Sequence, residues 1–63
     1  MYKIINSKYD SDTGLRICDV YCDTEADLPT KSQIAYEFME PGSWAWIGET
    51  RTFKTLNSSN DWV

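Results

Sequence analysis

The sequence predicts a small α+β domain, in which an antiparallel sheet of three to five strands carries one short helix. Three observations lead there. Residues 15–23 alternate so that Cys18, Val20 and Cys22 share an uninterrupted apolar face, the two-residue period of a half-buried strand. Thr30-Lys31-Ser32-Gln33 has the spacing of a helix capping box and is followed by apolar residues at helical intervals. The chain has 63 residues, enough for one thin core and not for a second, so residues 1–63 are read as a single domain. A nearly all-β, barrel-like module is the alternative architecture.

Met1 to Ser7 reads as a first strand, with Tyr2, Ile4 and Asn6 on one face and Ile5 on the other. Lys8 to Gly14 is polar and forms the turn, where Gly14 can adopt a positive φ that Thr or Asp resists. Leu15 to Asp23 is the strongest strand. Its second face holds Leu15, Ile17 and Tyr21 but is broken by Asp19, as expected of a central strand covered on one side only. Glu25 to Pro29 leaves the sheet, because Pro29 lacks an N–H donor and biases Leu28 toward an extended conformation.

The capping box opens a helix over residues 31–40, with Ile34, Ala35, Phe38 and Met39 turned inward and Pro41-Gly42 as its stop. A helix of about ten residues is marginal alone and needs a surface to rest on. Ser43 to Glu49 sets Trp44 and Trp46 against Ala45 and Ile47. Either the bulky face meets the helix, or the two indoles form a contact surface. Thr50 to Asn57 follows, with Phe53 on one face and Lys54 and Leu56 on the other; Asn57 to Asp61 is a polar loop, and Trp62-Val63 starts a short returning strand. Short connections favour antiparallel pairing throughout. So short a last strand belongs at an edge or pairs with another subunit, which makes a homo-oligomer the expected state.

Composition excludes several classes of function. The net charge is −4, and the six basic residues are scattered, which argues against nucleic acid as a partner. No stretch reaches the ~20 apolar residues of a bilayer span, and the first residues lack a signal-peptide core, so an aqueous setting with no membrane partner is expected. Two cysteines and no histidine leave no imidazole base for a Ser or Cys nucleophile, with lysine-based variants still open, and at most half of a structural zinc set. Cys18 and Cys22 fall on one strand face about 13 Å apart, too far for a disulfide, and are expected to be reduced and buried.

Asp10-Ser11-Asp12-Thr13-Gly14 has the wrong spacing for a calcium loop and reads as an Asx-stabilised turn. Asp19 interrupts an apolar face and is expected to be exposed or paired with Arg16 or another base. Nothing points to an enzyme or a cofactor.

The aromatic residues remain. Three Trp, four Tyr and two Phe can each remove about 150–250 Å² from water, so a small core has a use for at least two of them. Exposed, the same rings anchor protein interfaces or stack on sugars. Trp44, Trp46, Phe53 and Trp62 are the candidate interaction residues.

Two segments also carry a family resemblance. Asp23 to Thr30 resembles the "x-x-ADLPT" opening of small phage head-fibre and tail-associated modules. Gly42 to Thr50 with Phe53 to Val63 resembles their "GS-x-A-x-x-I … LNSS-x-x-WV" ending, so that the two together span about half of the chain. The resemblance implies a compact β module of virion or prophage origin, attached to a particle or repeated along a fibre, and located in the virion or the host cytoplasm. Leu28 and Pro29 would shape a crossover, Trp44 to Ile47 and Phe53 to Leu56 the paired strands, and Trp62 the closing aromatic. The Ser32 to Glu40 insert departs from that pattern. No catalytic residue is implied. The expected partners are proteins, through self-association or contact with other virion proteins. A carbohydrate- or surface-binding module and a small acidic regulator of a host protein are the alternatives.

Overall fold

The computed structural model describes all 63 residues. Four strands form one sheet in the order β1 (Tyr2–Asp10), β2 (Leu15–Cys22), β3 (Trp44–Ile47) and β4 (Thr52–Thr55). A 3₁₀ turn at Glu25–Asp27 and one helix, α1 (Lys31–Tyr36), lie between β2 and β3. The domain is thus a small α+β fold. β1 and β4 are its edge strands, and the sheet does not close into a barrel.

The expectation of a wholly antiparallel sheet is corrected at its centre. β1–β2 and β3–β4 are antiparallel hairpins, but β2 and β3 run parallel, with Asp19 beside Trp44 and Cys22 beside Ile47. A parallel pair needs a crossover of about a dozen residues or more, usually helical. Residues 23–43 supply one, and the helix lies on the face it crosses.

β1 runs three residues further than expected, to Asp10, and its register slips between Ile4 and Asn6. Ile5 is the extra residue of a β-bulge. The slip breaks the simple alternation: Tyr2 and Ile4 stand opposite the buried Cys22 and Val20, whereas Asn6 stands opposite Asp19 on the other face. The hairpin turn follows the expected chemistry, with the Asp12 amide donating to Asp10 Oδ1 and Gly14 at φ +75°.

The capping box forms as expected. Thr30 Oγ1 accepts from the Gln33 amide at 3.3 Å, and the Gln33 side chain accepts from the Thr30 amide at 2.9 Å. The helix then ends at Tyr36, four residues before the expected limit. Phe38 takes a left-handed conformation (φ 55°), its amide donates to Ala35 O, and the Met39 amide reaches back to Ile34 O. This is a Schellman closure with Phe in the place that glycine usually holds, completed by the contact of Ile34 with Met39 in the core.

The reversal releases residues 38–40 to pair with β2: the Arg16 amide donates to Phe38 O, and the Glu40 amide to Arg16 O. The inward stripe is therefore Ile34 and Met39 alone, with Ala35 and Phe38 exposed. Arg16 donates from Nε and Nη2 to the Glu37 carbonyl and pairs with the Glu37 carboxylate at 3.0 Å, capping the helix end with positive charge.

The core is small and contains no ring. Cys18, Val20, Ile34, Met39, Ala45 and Leu56 form it, with Tyr2, Ile4, Leu28 and Trp62 packed at its margin. Aromatic burial at the centre, expected from composition, gives way to small and aliphatic side chains: Ile34 and Met39 cluster with Cys18, Val20, Ala45 and Leu56, and Ala45 is fully buried. Both cysteines are free and fully buried, as their spacing predicts. Past β4, the Asn57 side chain accepts from the amides of Ser59 and Asp61, and the expected returning strand is reduced to an isolated bridge of Trp62 with Leu56 and two backbone bonds between Val63 and Thr55 at the end of β4.

Candidate functional site

Because β3 is only four residues long and its Ala45 and Ile47 face the helix, period two sends Trp44 and Trp46 to the opposite side. The pairing registers then decide their company. Trp46 lies between Tyr21 of β2 and Phe53 of β4, and Trp44 between Asp19 and Thr55. Helix, 3₁₀ turn and C-terminal segment all pack on the far face, so this aromatic face is uncovered. Phe53 is 63 % exposed and Tyr21 36 % exposed, while the two indoles between them are half-buried by their neighbours.

Three of the four candidate residues thus come together. Trp44 and Phe53 meet edge to face, with ring centres 6.4 Å apart and planes at 73°. With Thr55 they line a shallow apolar groove of about 330 Å³. Trp62 does not join them. It packs beside the core, pairs with Leu56, and donates its indole N–H to Pro29 O at 3.0 Å. The indole N–H groups of Trp44 and Trp46 make no bond within the chain.

Two members of this face, Tyr21 and Asp19, lay outside the candidate set. Their signal was the second face of β2, where Ile17 and Tyr21 flank Asp19, but only the parallel register brings that face against the two Trp residues. The Tyr21 hydroxyl lies over Gly48, and a side chain at position 48 would have to displace it.

Asp19, expected to be exposed or paired with Arg16 or another base, is half-buried and pairs with none. Adjacent parities put Asp19 and Arg16 on opposite faces of the sheet, and Arg16 is spent on Glu37. Five carboxylates are half-buried. Asp10, Asp27, Glu37 and Glu40 are each bonded within the chain, to the Asp12 amide, the Met1 amino group, Arg16 and Thr13 respectively. Asp19 has neither a hydrogen bond nor an ion pair.

Apolar rings, two unused indole donors and one free carboxylate can bind, but there is no nucleophile paired with a base, and no group of three or more His, Cys, Asp or Glu side chains is placed to hold a metal ion. The thiols of Cys18 and Cys22 lie on the other face, and burial pushes both above their usual 9.0. No protein family, curated protein or solved structure compared with this chain matches it.

Proposed function

We propose that the protein is a non-catalytic interaction module that contacts another protein through the open face of its sheet. The observation behind this reading is the grouping of Tyr21, Trp44, Trp46 and Phe53 on a sheet face that no element of the chain covers. Water-facing rings cost stability that a 63-residue chain can ill spare, and contact with a partner accounts for retaining them. Aromatic anchors of this kind dominate binding energy at protein interfaces. The resemblance of residues 23–30 and 42–63 to phage fibre and tail modules is the ground for seeking the partner among virion proteins, further copies of the chain included.

A sugar-stacking role has less support. A sugar platform presents rings side by side, and Trp44 and Phe53 stand edge to face.

The test is site-specific crosslinking in the cell that makes the protein. A photoreactive p-benzoyl-phenylalanine replacing Phe53 is expected to give one or a few discrete protein adducts, identified by mass. The same group replacing Tyr36, which is more exposed than Phe53 and lies on the helix, is expected to give none of them. Adducts at position 36 with none at position 53 would overturn the reading.

A further inference from the structure

The free carboxylate on the aromatic face says more about the partner. Asp19 stands beside Trp44 in the β2–β3 register, with Tyr21 two residues along its own strand and Trp46 on the diagonal. On its other side it faces Asn6 of β1. Lys8, one step along the β1 register, is exposed and forms no ion pair with it. A carboxylate half-removed from water and left unpaired is an unspent acceptor. Toward β1 its neighbours on this face are Asn6 and the exposed Lys3 and Lys8, and toward β3 they are Trp44 and Trp46.

One side-chain chemistry answers both features at once. A guanidinium is planar, stacks on aromatic rings, and presents a fork of N–H donors that matches a carboxylate. It is also more weakly hydrated than an ammonium, which suits a partly dry site. The indole N–H groups of Trp44 and Trp46 are free to donate to backbone carbonyls that flank such a side chain. The net charge of −4 attracts a basic partner and repels an acidic one.

Area decides between a short segment and a second copy. With Phe53 63 % and Tyr21 36 % exposed, and rings of about 150–250 Å² each, the four aromatics offer on the order of 400 Å². A stable protein pair buries about 800 Å² per partner. Two copies joined through these rings alone fall short by about half, whereas a short extended segment needs no more area than the rings provide.

We propose that the open face seats an arginine of a basic, extended protein segment, with the guanidinium on Asp19 and against Trp44 and Tyr21. This rests on the reading of the face as a protein contact. The test is a titration of ¹⁵N-labelled protein with the capped peptide Gly-Gly-Arg-Gly-Gly and with its citrulline and lysine counterparts, followed through the three indole N–H signals. Citrulline keeps the shape of arginine and removes its charge.

The arginine peptide is expected to shift the signals of Trp44 and Trp46 at millimolar concentration and to leave Trp62 unmoved. Binding is expected to weaken at least tenfold with the citrulline peptide, several-fold with the lysine peptide, and at least tenfold in Asp19→Asn, whose melting temperature should stay within about 2 °C of the parent. Equal response to arginine and citrulline, full binding by Asp19→Asn, or no shift at Trp44 and Trp46 would overturn the arginine seat. If Phe53-directed crosslinks persist in that event, the contact face stands and only its ligand chemistry is wrong. If they are absent too, both readings fall.

Discussion

Ser43 joins helix, strand and crossover through one hydroxyl, and Ser43→Ala is the most informative single change. The residue is fully buried. Its Oγ accepts from the Cys18 amide at 2.9 Å and donates to Glu40 O at 2.8 Å. The parallel ladder of β2 and β3 begins only at Asp19 and Trp44, so the serine oxygen takes the place of a backbone acceptor for the residue just before it. Glu40 O also accepts from the Ser43 amide at 3.0 Å and stays satisfied when the hydroxyl is removed. The Cys18 N–H does not. Leaving one buried donor without a partner costs about 1–3 kcal/mol. For 63 residues the whole stability is on the order of 3–9 kcal/mol, so a loss near 2 is a large share of it.

At about 4–8 °C per kcal/mol for a domain of this size, Ser43→Ala should melt about 8–16 °C lower. With a urea slope of about 1 kcal/mol/M, the midpoint should fall by about 2 M at unchanged slope. Urea titration followed by tryptophan fluorescence measures this, with Ser58→Ala on the exposed loop as the control that should not move. Amide exchange at Cys18 should also accelerate. A Ser43→Ala midpoint within about 0.5 kcal/mol of the parent, with Cys18 still protected, would refute the view that this hydroxyl completes the ladder.

Other outcomes follow from particular contacts. Thr30→Ala removes one half of the capping box and should cost about 1 kcal/mol, read as a lower thermal midpoint with loss of the helical circular-dichroism signal. Native protein should leave a thiol reagent such as Ellman's unreacted at pH 8 and release two thiols per chain once unfolded, since both cysteines are buried. Burial raises both thiols above 9.0, so the unfolded chain ionises first: their contribution is complete below pH 9 and is lost as pH rises through the higher folded values, seen as falling stability in alkaline melts. Asp27 is held below its usual 3.8 by hydrogen bonds from the Met1 amino group and Thr24. Its contribution is therefore present above that pH and fades as pH falls through the lowered folded value. Asp27→Asn should be less stable than the parent at pH 6, and the gap should close in acid; a gap that persists to pH 2 would count against this pairing.

Local signals in the sequence were sufficient wherever neighbours along the chain decide the outcome. The alternation of β2, the capping box at Thr30, the left-handed turn at Gly14, the distance between the cysteines and the Asn57 loop all rest on side chains within a few residues of each other, and the sequence by itself determined them. Tertiary structure decided the rest. Helix α1 stops at Tyr36 because residues 38–40 gain backbone bonds to Arg16, a partner more than twenty positions away. The slip at Ile5 is set by the pairing of β1 with β2, which places Tyr2 and Ile4 on the core side and Asn6 on the other. Whether Trp44 and Trp46 turn inward was open on alternation alone, since period two says which residues share a face and not which face is covered. In the structure Ala45 and Ile47 are the buried pair, which leaves the indoles on the open face. The parallel register then sets Asp19 and Tyr21 beside them, a placement that depends on the path of the whole crossover and so has no signature in any local stretch of the chain.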